Sequence, residues 1–308
     1  MGNVREESLK IMGNDSQFHT PVMVEEVMNG LSVRAGGIYI DATIGGGGHG
    51  LEIVKRGGRL LGIDQDPEAV ESSSAHIKYH IAESKWGVDI KIEKGNFRDI
   101  ERIAKENSFE NVDGILFDLG VSSHQIDTPM RGFSYRFDES PLDLRMNPVQ
   151  GLPAWEVIKK LSEEELYEIF ATYGEEKLAR TIAGLVVRAR RIAPVKTTGD
   201  LMRVIGTATT NPMEKTGTYA RIFQALRILV NDELGALRDG IVQAKTVLGF
   251  GGRLVVLSYH SLEDRIVKRE CKRLGFRPVN KRPITPSVIE LRDNWRSRSA
   301  KLRIAETL

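Results

Sequence analysis

Gly37 to Gly50 reads G-I-Y-I-D-A-T-I-G-G-G-G-H-G. Ile38, Tyr39 and Ile40 are β-branched or aromatic, as expected at the end of a buried strand. Asp41 follows directly, then four glycines, Gly45 to Gly48, and Leu51 to Arg56 reads as the start of a helix. Strand, acid, glycine loop and helix in that order make the opening βα unit of a doubly wound sheet. Glycine suits the loop because it lets a backbone approach a ligand closely and tolerates positive φ. A second apolar strand, Arg59 to Ile63, ends at Asp64, 19 residues after Gly45. A Rossmann-type unit places there the acid that accepts hydrogen bonds from a ribose diol, which NAD and S-adenosylmethionine both carry. Asp41 would repel a pyrophosphate and attract an amino group, so the residues favour S-adenosylmethionine. No Lys-Ser/Thr follows the loop, which excludes a nucleoside triphosphate site of the P-loop kind.

The chain of 308 residues is long enough for one large α/β domain with an insertion, or for two domains. Its 41% hydrophobic and 28% charged residues are those of a globular protein. No run of 18 apolar residues is present, so no membrane partner is expected. Met1 to Gln17 is polar, lacks the apolar core of a secretory signal and reads as a disordered arm. The single cysteine, Cys271, excludes an internal disulfide and a cysteine-built zinc site. A cytoplasmic location fits, and composition leaves a homodimer open. Charge is uneven: Gly251 to Leu308 holds 14 Lys/Arg against 6 Asp/Glu, while the whole chain carries only +2. A basic C-terminal segment suits a polyanion such as nucleic acid, or simply a solvated surface.

Further strands are expected at Val88 to Glu93, Val112 to Leu116 and Arg253 to Tyr259, with short ones near Phe276 to Val279 and Ala300 to Ala305. A helix over His19 to Leu31, capped at Thr20-Pro21, precedes the first strand. Asp41, Asp64, Asn96-Phe97 and Asp118 then stand at four successive strand ends, where a doubly wound sheet gathers its ligands. After Gly120 the βα rhythm stops. Val121 to Pro148 is too long for an ordinary connection and mixes arginine with aromatics. Helices follow, one behind the capping box Ser162 to Glu165, one over Glu175 to Ile192 and one capped by Thr197 to Asp200. Asn211 to Thr218 reads as a loop and Tyr219 to Leu248 as a long amphipathic stretch. The expected division is a sheet domain, 1–126 and 219–308, around a helical insertion, 127–218.

Laid out in order, H-T-P-V-M-V-E-E-V, D-A-T-I-G-G-G-G-H-G, G-I-D-Q-D-P-E-A, D-G-I-L-F-D-L-G-V-S-S, R-G-F-S-Y, P-L-D-L-R-M, F-Q-A-L-R-I-L-V-N-D-E-L, H-S-L-E-D-R-I-V-K and R-S-R-S-A-K-L-R cover the chain from His19 to Arg303. In this it resembles the RsmH (MraW) family of bacterial small-subunit rRNA cytosine-N4 methyltransferases. The resemblance implies a class I S-adenosylmethionine-dependent methyltransferase fold, a Rossmann-like doubly wound sheet with a helical insertion. It also implies methylation of the exocyclic amine of a decoding-centre cytidine in 16S rRNA, with the small subunit as partner. By position it places Gly47, Gly48 and His49 on the cofactor, with Asp64 on the ribose, Phe97 beside the adenine, and Asp118 and Gln125 completing the pocket. The chain departs from the family at His124, at Gly217-Thr218-Tyr219-Ala220 and at Asn294-Trp295-Arg296, all outside the cofactor motifs.

The N4 amine of cytosine is a poor nucleophile because its lone pair is delocalised into the ring. An acceptor for an N4 hydrogen would localise that pair and stabilise the charge growing on nitrogen. Asp118 is the candidate, either in that catalytic role or facing the adenine side of the cofactor. His260 could orient the base or relay a proton, but Ser261 to Asp264 also reads as a helix cap. No second histidine lies at ligand spacing, so no metal is expected. Arg131, Arg136 and Arg145, interleaved with Phe133, Tyr135 and Phe137, suit phosphate contact with base stacking, or the core of the insertion with solvated arginines. Arg296, Arg298 and Lys301, with Arg292 and Arg303, read as a phosphate-tracking edge or as a charge-protected edge strand.

Overall fold

A computed structural model describes residues 21–84 and 87–308. The polar arm, His19 and the expected cap at Thr20 lie outside the described residues. The chain divides into two compact units, 1–120 with 240–308, and 121–239.

The first unit is a seven-stranded sheet: β1 (Ile38–Asp41), β2 (Arg59–Asp64), β3 (Ile90–Lys94), β4 (Val112–Asp118), β5 (Leu248–Ser258), β6 (Arg277–Pro278) and β7 (Lys301–Glu306). Their order is β3-β2-β1-β4-β5-β7-β6. The first five strands are parallel, and β7 runs antiparallel to both β5 and β6. This is the class I methyltransferase order. The chain reverses direction between β1 and β4, the switch point where an open sheet binds its ligand. β1, β2 and β4 are almost wholly buried, which is why they read as apolar runs rather than alternating ones. β5 starts earlier than expected because Gly251, at φ 72°, bulges it: its pairing with β4 slips between Val112 and Gly114 before the regular register resumes at Arg253.

Helices α1 (Val24–Leu31), α2 (Gly48–Lys55), α3 (Pro67–Ser84) and α4 (Ile100–Glu106) belong to this unit. One core joins Val27, Met28 and Leu31 of α1 to Tyr39, Leu60, Val255, Leu302 and Ile304. Tyr39 is fully buried yet satisfied, since its hydroxyl donates to the Ser32 carbonyl and accepts from the Arg34 N–H. The helix before β1 is shorter than the sequence suggests. Met23 precedes it in the left-handed region, at φ 53°, and its N–H donates to Oε1 of Glu290.

The second unit is helical: α5 (Ser123–Asp127), α6 (Ala154–Lys160), α7 (Glu163–Thr172), α8 (Ala179–Ile192), α9 (Thr198–Gly206) and α10 (Pro212–Asn231). The next helix, α11 (Glu233–Val247), begins in this unit and ends in the first. Leu142, Leu144, Phe170, Ile182, Val186 and Leu226 form its core. The expected loop at Asn211 to Thr218 is instead the first two turns of α10. Asn211 caps it by accepting the Met213 N–H, and Pro212 sits at the first helical position, where its missing N–H costs nothing. Asp232, at φ 47°, separates α10 from α11. The long segment after Gly120 is tied down by Asn231, whose side chain accepts the Met146 N–H and donates to the Leu144 carbonyl.

The C-terminal part of the first unit adds α12 (Ser261–Arg273) and α13 (Val288–Asp293). On α12, burial pushes the Cys271 thiol up to about 12, so it is inert at neutral pH. Among the described residues no helix is long and apolar enough to cross a membrane.

Candidate active site

Three adjacent parallel strands, β2, β1 and β4, end in Asp64, Asp41 and Asp118. The glycine loop leaves β1 between them and is fixed by the strands' own ends. Asp64 accepts the N–H of Gly45 at 2.9 Å through Oδ2 and that of Asp66 at 2.9 Å through Oδ1. Asp41 accepts the N–H of Thr43 at 3.2 Å, and the Thr43 hydroxyl accepts the N–H of Asp118 at 2.6 Å. The loop is therefore cross-braced to two neighbouring strands. An added Cβ would meet nothing within 4 Å at Gly46 and only the Thr43 carbonyl, at 3.7 Å, at Gly45. The backbone there is open to a ligand. Gly47 and Gly48 are glycine for a different reason. Gly47 has φ 85°, and a Cβ on Gly48 would lie 2.7 Å from Cγ of Pro21.

The carboxylates are energetically uncomfortable. Burial raises Asp41 to about 8 against the pull of the Thr43 N–H, and Asp118 and Asp64 add to the rise. Burial likewise raises Asp64 to about 6, against the N–H groups of Asp66 and Gly45. A cationic ligand would relieve this crowding. The donor set, a ribose-reaching acid beside a buried acid cluster and an open glycine backbone, fits S-adenosylmethionine.

Asp118 is held from two sides. The Tyr259 hydroxyl donates to its Oδ1 at 2.7 Å, and Nδ1 of His49 stands 3.5 Å from its Oδ2. His49 is buried, and its Nε2 lies 3.0 Å from the Val22 carbonyl. Burial, then the neighbouring Asp118, raises the Tyr259 phenol well above its usual range, so it stays a donor. Phe97 follows Asn96, whose side chain caps the short 3-10 turn Phe97–Asp99 and donates to Oε1 of Gln65. Its ring stands edge-to-face on Phe117, with centroids 5.3 Å apart.

His260 is the N-cap of α12, one residue earlier than the sequence suggests. Its Nδ1 faces the Glu263 N–H, and buried Glu263 accepts the N–H groups of Tyr259 (2.8 Å) and His260 (3.2 Å). Sequence reasoning gave this acid to a helix terminus but missed its consequence: Glu263 fixes Tyr259, and Tyr259 fixes Asp118. Thr43 and Tyr259 were also missed. The one available signal was their place, at the ends of β1 and β5, beside the expected rim.

In the second unit, Gln125 is buried and closes a capping box with Ser122. Arg131, expected on RNA, is turned inward instead: it is buried and donates to the carbonyls of Arg145 and Met146. Arg145 forms a two-point ion pair with Asp143. Arg136 is exposed, paired with Asp127, and lies over the Phe137 ring. In the first unit, Arg296 and Arg298 belong to the 3-10 turn Trp295–Ser299, and Lys301 opens β7. The Arg296 guanidinium lies over the exposed Trp295 ring. Arg303 is paired with Asp264.

Comparison with known proteins bears on the same residues. The sequence pattern of the MraW methylase family matches residues 16–308. The chain is 42% identical to ribosomal RNA small subunit methyltransferase H of Ruminiclostridium cellulolyticum, over 94% of this chain and 99% of that one. It is 39% identical to ribosomal RNA small subunit methyltransferase H 2 of Agathobacter rectalis, over 94% and 98%. A solved O-methyltransferase from Thermotoga maritima aligns with a TM-score of 0.43 at 9% identity, over 97% of this chain and 69% of that one, too loosely to add to the strand order. A pattern running to the last residue, and relatives matched over nearly their whole length, leave one assignment: the chain belongs to the MraW methylase family.

Proposed function

We propose that this chain uses S-adenosylmethionine to methylate the N4 amine of a decoding-centre cytidine in small-subunit rRNA, in the cytoplasm. The carrying observation is Asp118: a carboxylate at the switch-point strand end, aimed by Tyr259 and adjacent to the open glycine loop. The bound donor supplies an activated methyl on a positively charged sulfur. The protein's part is to hold the reactants in line and to exclude water. Asp64 receives the ribose hydroxyls, Gly47 and Gly48 shape the loop, and Asp41 lies where the donor's charge relieves the crowded acids. Phe97 lies beside the adenine, and Gln125 contributes from the second unit. Asp118 accepts a hydrogen from the target amine, which localises the nitrogen lone pair and stabilises the positive charge that develops there.

The names of the relatives support the small-subunit rRNA as substrate. The exposed Trp295 with Arg296, Arg298 and Lys301 suits an unpaired, negatively charged strand, and Arg136 over Phe137 offers a similar pairing in the second unit. His260 has a structural role in this reading, capping the helix that carries Glu263. The test compares small-subunit rRNA from cells with and without the protein by mass spectrometry. One N4-methylcytidine is expected to vanish and to return with the wild type but not with Asp64→Ala. An unchanged modification map would overturn the proposal.

A further inference from the structure

Two acceptors face each other beside the glycine loop. Nε2 of His49 lies 3.0 Å from the Val22 carbonyl, which can only accept, so Nε2 carries the ring proton. Neutral His49 therefore turns a lone pair on Nδ1 toward Oδ2 of Asp118, 3.5 Å away. That carboxylate cannot swing aside, because its Oδ1 is held by the Tyr259 hydroxyl and its backbone N–H by Thr43. A lone pair opposite a carboxylate oxygen is repulsive unless a donor joins them. The group that fits is one offering two N–H bonds from a single nitrogen: a primary amine.

We propose that Oδ2 of Asp118 and Nδ1 of His49 together receive the exocyclic amine of the target base, and that His49 takes the proton released on methylation. The inference rests on the N4 reading above. One N4 hydrogen is donated to Asp118 and the other to His49. The nitrogen lone pair forms the bond to the methyl carbon, and the carbon–sulfur pair departs with sulfur, which becomes neutral. The hydrogen shared with His49 leaves nitrogen as a proton for Nδ1, and the product keeps one N–H, still held by Asp118. The imidazolium so formed is stabilised by the Val22 carbonyl behind it and Asp118 in front. Asp41 adds negative charge from β1 when ionised, and Tyr259 stays neutral. His49 then returns the proton to solvent. The same pair prefers an unmethylated amine, since a methylated one has a single hydrogen for two acceptors.

The test is single-turnover methylation of small subunits lacking the mark, as a function of pH, for wild type and His49→Gln. The wild type should show an acid limb from His49. The variant should lose that limb and about 10²-fold in rate, with donor affinity unchanged. A limb that persists, an unchanged rate, or a loss confined to donor affinity would overturn the proposal, the last meaning that the pair holds the donor's ammonium. A wild type that methylates no small subunit would instead overturn the rRNA reading. Nitrogen NMR of histidine-labelled free protein needs no turnover and no variant. It should find neutral His49 protonated at Nε2, and a proton on Nδ1 of the neutral ring would sink the proposal.

Discussion

The two units treat buried charge in opposite ways. In the helical unit each buried charge has a fixed partner: Glu176 with Arg221 and the Leu178 N–H, Arg227 with Glu233, Arg145 with Asp143, and Arg131 with two carbonyls. In the sheet unit, Asp41 and Asp64 gather with Asp118, and no Lys or Arg among the described residues forms an ion pair with Asp41 or Asp64. Closed pairs hold a fold together. Crowded acids without a cation weaken it and await a ligand. Charge in one unit is thus structure, and in the other it is a site.

The sharpest way to break this contrast is at Asp118. Asp118→Asn keeps an oxygen for the Tyr259 hydroxyl but removes the charge. Methyl transfer should fall by about 10²–10³-fold with the melting temperature little changed. A variant that unfolded early yet kept its rate per folded molecule would make Asp118 a structural residue.

Asp41 tests the same idea through pH. Its folded-state pKa, about 8, lies above the unfolded value of 3.8, so the native state holds a proton that the unfolded chain has released. Stability must therefore fall as pH rises between those values. From about pH 5 to about pH 8 the loss attributable to Asp41 is on the order of a few kcal/mol, and Asp41→Asn should remove it. Urea unfolding at the two pH values measures it. Saturating donor should flatten the same slope, because a cation beside Asp41 lowers its pKa and expels the proton.

Arg131 gives the counterpart in the helical unit. Arg131→Met removes charge-assisted bonds to the carbonyls of Arg145 and Met146, and should cost about 2–3 kcal/mol of stability. The rate per folded molecule should stay as it was. If instead RNA affinity fell with stability intact, its charge would belong to the site.

How far these roles could be read in the sequence follows from their physics. The strand-end acids and the glycine loop are local signals, an apolar run stopping at a carboxylate, and they placed Asp41, Asp64 and Asp118 correctly at strand ends. The loop expected at Asn211 to Thr218 failed because Asn-Pro and Gly217 are breaker residues by composition, while the cap and the packing of α10 override them. Arg131 failed for the opposite reason. An arginine among aromatics looks the same whether it faces solvent or two carbonyls 14 and 15 residues away in the chain. The Glu263–Tyr259–Asp118 relay, spanning 141 residues between its last two members, leaves no local trace at all.

The smallest expected effects lie at the basic edge, and they set the limit of the comparison. Trp295 is 70% exposed, so its removal should leave stability unaltered. If it stacks an unpaired base, Trp295→Ala should weaken binding to the small subunit by about 1–2 kcal/mol, while Trp295→Phe keeps most of it. Arg298→Ala should reduce the slope of log affinity against log salt by about 1, the signature of one phosphate contact. Arg145→Ala should leave that slope alone, because Asp143 already neutralises its charge. Filter binding across a salt series separates the three. Equal slopes for the two arginine variants would mean that pairing within the fold does not decide which cations reach RNA, and the contrast between the units would then hold only for the acids.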